Sequence, residues 1–73
     1  MQLPKVAITG GSGRLGRYVV DYFRDKADVT VIDIRPPEQT DVRFVEANIL
    51  DCANLAAAFS GQEAVVHLAA IPN

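Results

Sequence analysis

Eight consecutive residues, Thr9-Gly10-Gly11-Ser12-Gly13-Arg14-Leu15-Gly16, constrain the fold of this chain more than any other segment. Before them stands Lys5-Val6-Ala7-Ile8-Thr9, a short β-branched run that reads as a buried strand. After them the apolar spacing changes. Leu15, Val19, Tyr22 and Phe23 recur at helical intervals, while Arg17, Asp21, Arg24 and Asp25 take much of the other face. The glycines therefore lie where a strand turns abruptly into an amphipathic helix, predicted from Arg14 to near Lys26. Glycine permits the positive φ of such a turn and lets backbones approach more closely than a Cβ would allow.

The remaining elements follow the same alternation. Asp28 to Ile34 is again β-branched, and Arg35-Pro36-Pro37 stops it, because proline cannot donate to a ladder and restricts the residue before it. After the polar loop Pro37 to Asp41, Val42-Arg43-Phe44-Val45 alternates as a short third strand. Asn48 to Asp51 marks a turn. Asp51 is placed to cap a helix with Leu55, Ala58 and Phe59 on its inner face, and Gly61 to terminate it. Ala64 to Ala70 forms the last strand and its exit. The order βαββαβ predicts the α/β class, a partial Rossmann-like parallel sheet with strand order 3-2-1-4.

Size makes this arrangement marginal. A chain of 73 residues buries only roughly 60% of its unfolded surface, and domains this small usually need a staple. One cysteine, Cys52, excludes an intrachain disulfide, and with the single histidine, His67, it falls short of a structural zinc site. Further sequence, a ligand or a second subunit is left to supply the missing burial. The longest apolar run, Ala64 to Ile71, is interrupted by His67 and is too short for a bilayer. Met1 to Ile8 lacks the pattern of a secretory signal, so a cytoplasmic location is expected. Seven Lys plus Arg against nine Asp plus Glu form no basic stripe for nucleic acid. Small molecules or proteins are the expected partners.

The glycine segment reads as G-x-G-x-x-G through Gly11, Gly13 and Gly16, or as T-G-x-x-G-x-x-G through Thr9, Gly10, Gly13 and Gly16. Both describe a loop in which unsatisfied N–H groups and the positive end of a helix dipole face a pyrophosphate. Asp33, twenty positions after Gly13, ends the second strand where a carboxylate can accept the ribose hydroxyls of an adenosine. No Lys-Ser or Lys-Thr follows the last glycine, which excludes a P-loop. Dinucleotide binding is the expectation.

Together with the Asn48-Ile49-Leu50-Asp51 turn and His67-Leu68-Ala69-Ala70, these motifs resemble the extended short-chain dehydrogenase/reductases, the NAD-dependent epimerase/dehydratase group, from about Lys5 to Asn73. The resemblance implies that Gly10, Gly13 and Gly16, with Arg14 and Leu15 between them, shape the pyrophosphate site. It places Asp33 on the ribose, Asn48 and Ile49 beside the adenine, and Ala69 with Ala70 along the cofactor towards the nicotinamide. Residues 1–73 would then be the N-terminal cofactor-binding portion of an enzyme acting on a nucleotide-sugar-like substrate, without the substrate domain. The family more often has Asp where Asn48 stands, and the Asn48 carbonyl oxygen can still accept from an adenine amino group.

Charge at the Asp33 strand end favours NAD over NADP, since a carboxylate repels a 2′-phosphate; Arg14 and Arg35 are the groups that would accommodate one instead. The family's catalytic pair is a Tyr with a Lys four residues later. Tyr22-Phe23-Arg24-Asp25-Lys26 has that spacing, but the first helix carries Tyr22 roughly 13 Å from Gly13 and from the edge where ligands bind. Tyr22 reads instead as a core residue with its hydroxyl at the surface, and no catalytic residue is assigned. His67 reads as a structural histidine near the end of a buried strand, and Cys52 as inert. The alternative to a cofactor-binding portion is a self-associating module that pairs through the exposed edge of the fourth strand.

Overall fold

The computed structural model describes residues 3–48, 50 and 52–68, with residues 52–54 described for their backbone alone. Its elements run β1 (Lys5–Thr9), α1 (Arg14–Phe23), β2 (Asp28–Asp33), β3 (Arg43–Glu46), α2 (Cys52–Phe59) and β4 (Ala64–His67). The strands form one parallel sheet of order β3-β2-β1-β4, as the sequence predicts. The central pair takes the apolar positions. β1 and β2 are buried over nearly their whole length, whereas β3 and β4 are mostly exposed.

Strand alternation divides the core between the two faces of the sheet. Val6, Ile8, Val29 and Val31 pack under α1 with Val20 and Ala27, flanked by Val19 and Phe23. On the opposite face Ala7, Ile32 and Ala47 meet Leu55, Ala58 and Phe59 of α2. Ile8, Val31, Ile32 and Val20 are fully inaccessible to solvent.

The inner face of α1 is the predicted one only in part: Val19 and Phe23 pack against the core as expected. Leu15 and Tyr22 are 63% and 60% exposed, while Gly16 and Val20 are buried. The buried face is centred between Gly16, Val20, Val19 and Phe23, so Leu15 and Tyr22, the members of the predicted stripe that lie farthest from Val20, fall outside it. Gly16, which has no side chain to mark it as buried, faces the loop so closely that a Cβ on it would lie 2.1 Å from the Gly10 carbonyl oxygen. Tyr22 lies on the surface, its ring edge-on to Phe23 at 5.0 Å.

Helix α1 also ends one turn before Lys26. Both the Lys26 and Ala27 amides donate to the Phe23 carbonyl, at 2.8 Å each, closing the last turn so that β2 can start at Asp28. Gly61, at φ +80°, turns the chain after α2 as expected. The predicted Asp51 cap lies outside the described residues. β4 is the edge strand that the order 3-2-1-4 predicts, but its residues are largely exposed, and His67 with them, so His67 does not sit in a buried strand as expected.

Candidate functional site

Because all four strands are parallel, their carboxyl ends lie on one edge of the sheet. That edge carries the glycine loop after β1, Asp33 at the end of β2, Asn48 shortly after β3 and His67 at the end of β4. The loop is shaped by short backbone bonds. Gly10, at φ 72°, donates its N–H to the Ile32 carbonyl at 3.0 Å, and Gly13 donates to the Gly10 carbonyl at 3.1 Å. From Gly13 the chain enters α1 through the Arg17 amide, which donates to the Gly13 carbonyl at 2.9 Å. No side chain caps this helix start, so its first amides keep donor capacity for a ligand.

The glycines have different reasons to be glycine. A Cβ on Gly16 would lie 2.1 Å from the Gly10 carbonyl oxygen, so α1 rests directly on the loop. A Cβ on Gly13 would meet only that same oxygen, at 3.4 Å, an ordinary contact. Gly13 is exposed, and nothing among the described residues demands its bare backbone. A ligand approaching that backbone would.

Asp33 is tied to this loop. Its Oδ2 accepts the Ser12 N–H at 3.1 Å and its Oδ1 accepts the Ile34 N–H at 2.6 Å, while the Ser12 hydroxyl donates to the Arg35 carbonyl. Two backbone bonds fix the carboxylate and leave it further acceptor capacity for ribose hydroxyls. Ser12 is the residue that sequence reasoning passed over within its own motif. A hydroxyl between two glycines was visible, but its partners two elements away were not.

Arg14 and Leu15 are exposed at the start of α1. Among the described residues neither Arg14 nor Arg35 forms an ion pair. A cleft of about 300 Å³ opens beside the loop between Gly11, Ser12, Gly13, Arg14, Arg17 and Glu38. Asn48 is exposed, and its Oδ1 accepts the Leu50 N–H at 2.9 Å, an Asx turn that engages the oxygen assigned to an adenine amino group. Ile49, Ala69 and Ala70 lie outside the described residues, as does the side chain of Cys52.

At the β1–β4 pair, Thr9 and His67 are register partners, and Thr9 Oγ1 and His67 Nδ1 share a hydrogen bond at 2.7 Å. Thr9 is fully buried and also accepts the Leu68 N–H, on its hydroxyl and its carbonyl at 3.1 Å each. His67 thus has a partner from across the sheet that its own strand could not reveal. Tyr22 and Lys26 stand at the opposite end of α1 from the glycine loop. The Lys26 ammonium donates to the Tyr22 carbonyl at 3.1 Å and sits 4.3 Å from the Tyr22 ring centre, a cation–π contact at the surface. Among the described residues no group of acidic, His and Cys side chains could hold a metal ion, and no helix is long and apolar enough to cross a membrane.

A parallel 3-2-1-4 sheet with a glycine turn after its first strand and an acid ending its second defines the Rossmann-like class. Within that class the chain belongs to the NAD dependent epimerase/dehydratase family, whose model matches residues 6–73. It is 38% identical over 71 residues to an L-arabinose 1-dehydrogenase (NAD(P)(+)) of Haloferax volcanii, covering 97% of this chain and 27% of that protein. Among solved structures it is similar to a short-chain dehydrogenase/reductase superfamily protein of Agrobacterium tumefaciens with bound NAD. That match has 35% identity and a TM-score of 0.81, covering 93% of this chain and 21% of that one. A UDP-N-acetylglucosamine 4-epimerase of Methanobrevibacter ruminantium, in complex with UDP-N-acetylmuramic acid, is 28% identical with a TM-score of 0.79, covering 100% and 26%. The chain therefore spans about a quarter of the length of the relatives it matches.

Proposed function

We propose that the chain is the NAD-binding portion of a dehydrogenase or epimerase acting on a sugar or nucleotide sugar, and that it carries no complete catalytic set itself. The observation that carries this reading is the Ser12–Asp33 bond, which holds a ribose-accepting carboxylate against the glycine loop. The open face of Gly13 supports it, as do an uncapped helix start and the family membership. Gly10, Gly13 and the first turn of α1 would hold the pyrophosphate, and Asp33 the adenosine ribose. Arg14, Leu15, Asn48, Ile49, Ala69 and Ala70 are proposed as further cofactor contacts. NAD, when bound, supplies a hydride acceptor. Asp33 favours NAD over NADP by repelling a 2′-phosphate. Coverage of about a quarter of each relative supports a portion of a longer fold, whose proton-transfer pair would come from outside these residues.

Calorimetric titration tests the reading. Saturable NAD binding that Asp33→Ala weakens by about tenfold or more, the loss of a charge-assisted bond, is the expected result. No heat at millimolar NAD would exclude it.

A second reading is favoured by one observation: β4 is an edge strand of this sheet, with Val65 45% exposed. Such an edge pairs readily with another strand, and a second copy of the chain could provide one. Sedimentation at micromolar concentration distinguishes a dimer, which supports self-association, from a folded monomer, which excludes it.

A further inference from the structure

The cleft beside the glycine loop holds a charge arrangement that phosphate and ribose binding leave unexplained. Three of its lining side chains are ionised: Arg14, Arg17 and Glu38. Arg17 is already occupied. Its Nη1 lies 3.4 Å from Glu38 Oε1, and its guanidinium carbon lies 5.5 Å from the Tyr18 ring centre. The contact to Tyr18 first, and the charge of Glu38 second, hold the Arg17 pKa above its ordinary value. Arg14 has no such partner among the described residues.

This cleft adjoins the ribose acid through Ser12, which lines it and donates its N–H to Asp33. A dinucleotide held at Asp33 would therefore have two arginines and one glutamate as neighbours of its ribose. Guanidinium groups are the preferred receptors for a phosphate monoester because they donate in a planar fork and stay charged. Glu38 opposes such a phosphate by engaging one of the two guanidiniums.

We propose that Glu38 is a specificity-determining residue that holds Arg17 away from the 2′-phosphate of NADP. The inference rests on the dinucleotide reading above and deepens it. Asp33 disfavours the phosphate by direct repulsion, and Glu38 by withdrawing a cation that would receive it. Glu38 reaches the cleft because the loop between β2 and β3 is strapped to α1. Gln39 Nε2 donates to the Arg17 carbonyl at 3.1 Å and to Asp21 Oδ1 at 2.8 Å, and Asp41 pairs with Arg24 at 2.8 Å.

The size of the effect follows from exposure. The Arg17 and Glu38 side chains are 43% and 74% exposed, so solvent screens their pairing, and a change of about two- to fivefold in relative affinity is expected. Titrations of the full chain with NAD and with NADP measure it. In Glu38→Gln the ratio of the NADP to the NAD dissociation constant falls two- to fivefold, by the same estimate, and the fall shrinks at high salt. Adding Arg17→Gln to that variant returns the ratio to its wild-type value. A ratio unmoved by Glu38→Gln overturns the role of Glu38, as does a gain that survives removal of Arg17. Wild-type protein that binds neither dinucleotide removes the dinucleotide reading itself, and the inference with it; NAD binding with an unmoved ratio removes the inference alone.

Discussion

Gly16 sits so close to Gly10 that a Cβ on it would lie 2.1 Å from the Gly10 carbonyl oxygen. That oxygen also accepts the Gly13 amide, so one carbonyl is at once the hinge of the loop and the seat of the helix. Gly13, by contrast, faces outward with room for a side chain.

The two glycines should therefore separate folding from binding. Gly16→Ala forces the helix off the loop and is expected to cost about 1–3 kcal/mol as an overpacking substitution, enough to unfold much of so small a domain. Gly13→Ala puts a poorer N-cap at an unstrained position and should cost about 1 kcal/mol or less, yet reduce NAD affinity by obstructing the backbone. Urea unfolding and NAD titration of both variants check this. Equal destabilisation, or unimpaired NAD binding in Gly13→Ala, would contradict the division of roles.

Acid should weaken the strap between α1 and the loop before β3. The Asp21 carboxyl is held below its ordinary value, first by the Gln39 amide that donates to it and further by Arg24. A depressed folded pKa means the unfolded chain takes up the proton first. The stabilisation is therefore present above the unfolded carboxylate value and is lost as pH falls through the folded one. Asp21→Asn should lower the urea midpoint at neutral pH, with the difference from wild type vanishing below the carboxylate range. A gap that widens in acid would refute this sign.

Buried threonines offer a third comparison. Thr9 Oγ1 bonds His67 at 2.7 Å and accepts the Leu68 amide, whereas Thr30 Oγ1 has a long contact of 3.4 Å with Gln62. Thr9→Val should cost about 0.5–1.5 kcal/mol, and Thr30→Val less. Measured unfolding energies in the reverse order would mean that the His67 contact contributes little.

Every element was legible in the sequence, because strand and helix periods leave different apolar spacings and the glycine and proline positions punctuate them. The inner face of α1 was legible only through Val19 and Phe23. Hydropathy also marked Leu15 and Tyr22, which are exposed, and could not mark Gly16, which is buried against the loop and has no side chain. The site was legible in the same uneven way. Gly10, Gly13, Gly16 and Asp33 stand out by type and spacing, and parallel topology brings them to one edge. Ser12 and Glu38 do not, since a serine or glutamate in a loop has no meaning until its partner is known.

The sequence by itself determined the order of elements, the turn at Gly10 and the family, all of which depend on local backbone preference and short-range pattern. Only the tertiary structure decided which atoms meet: the Ser12 amide with Asp33, Thr9 with His67 fifty-eight residues away, and Arg17 with Glu38. Those contacts depend on the register of parallel strands and the path of the loop over α1. Neither is encoded by any one segment, because both arise when separate segments pack against a shared core.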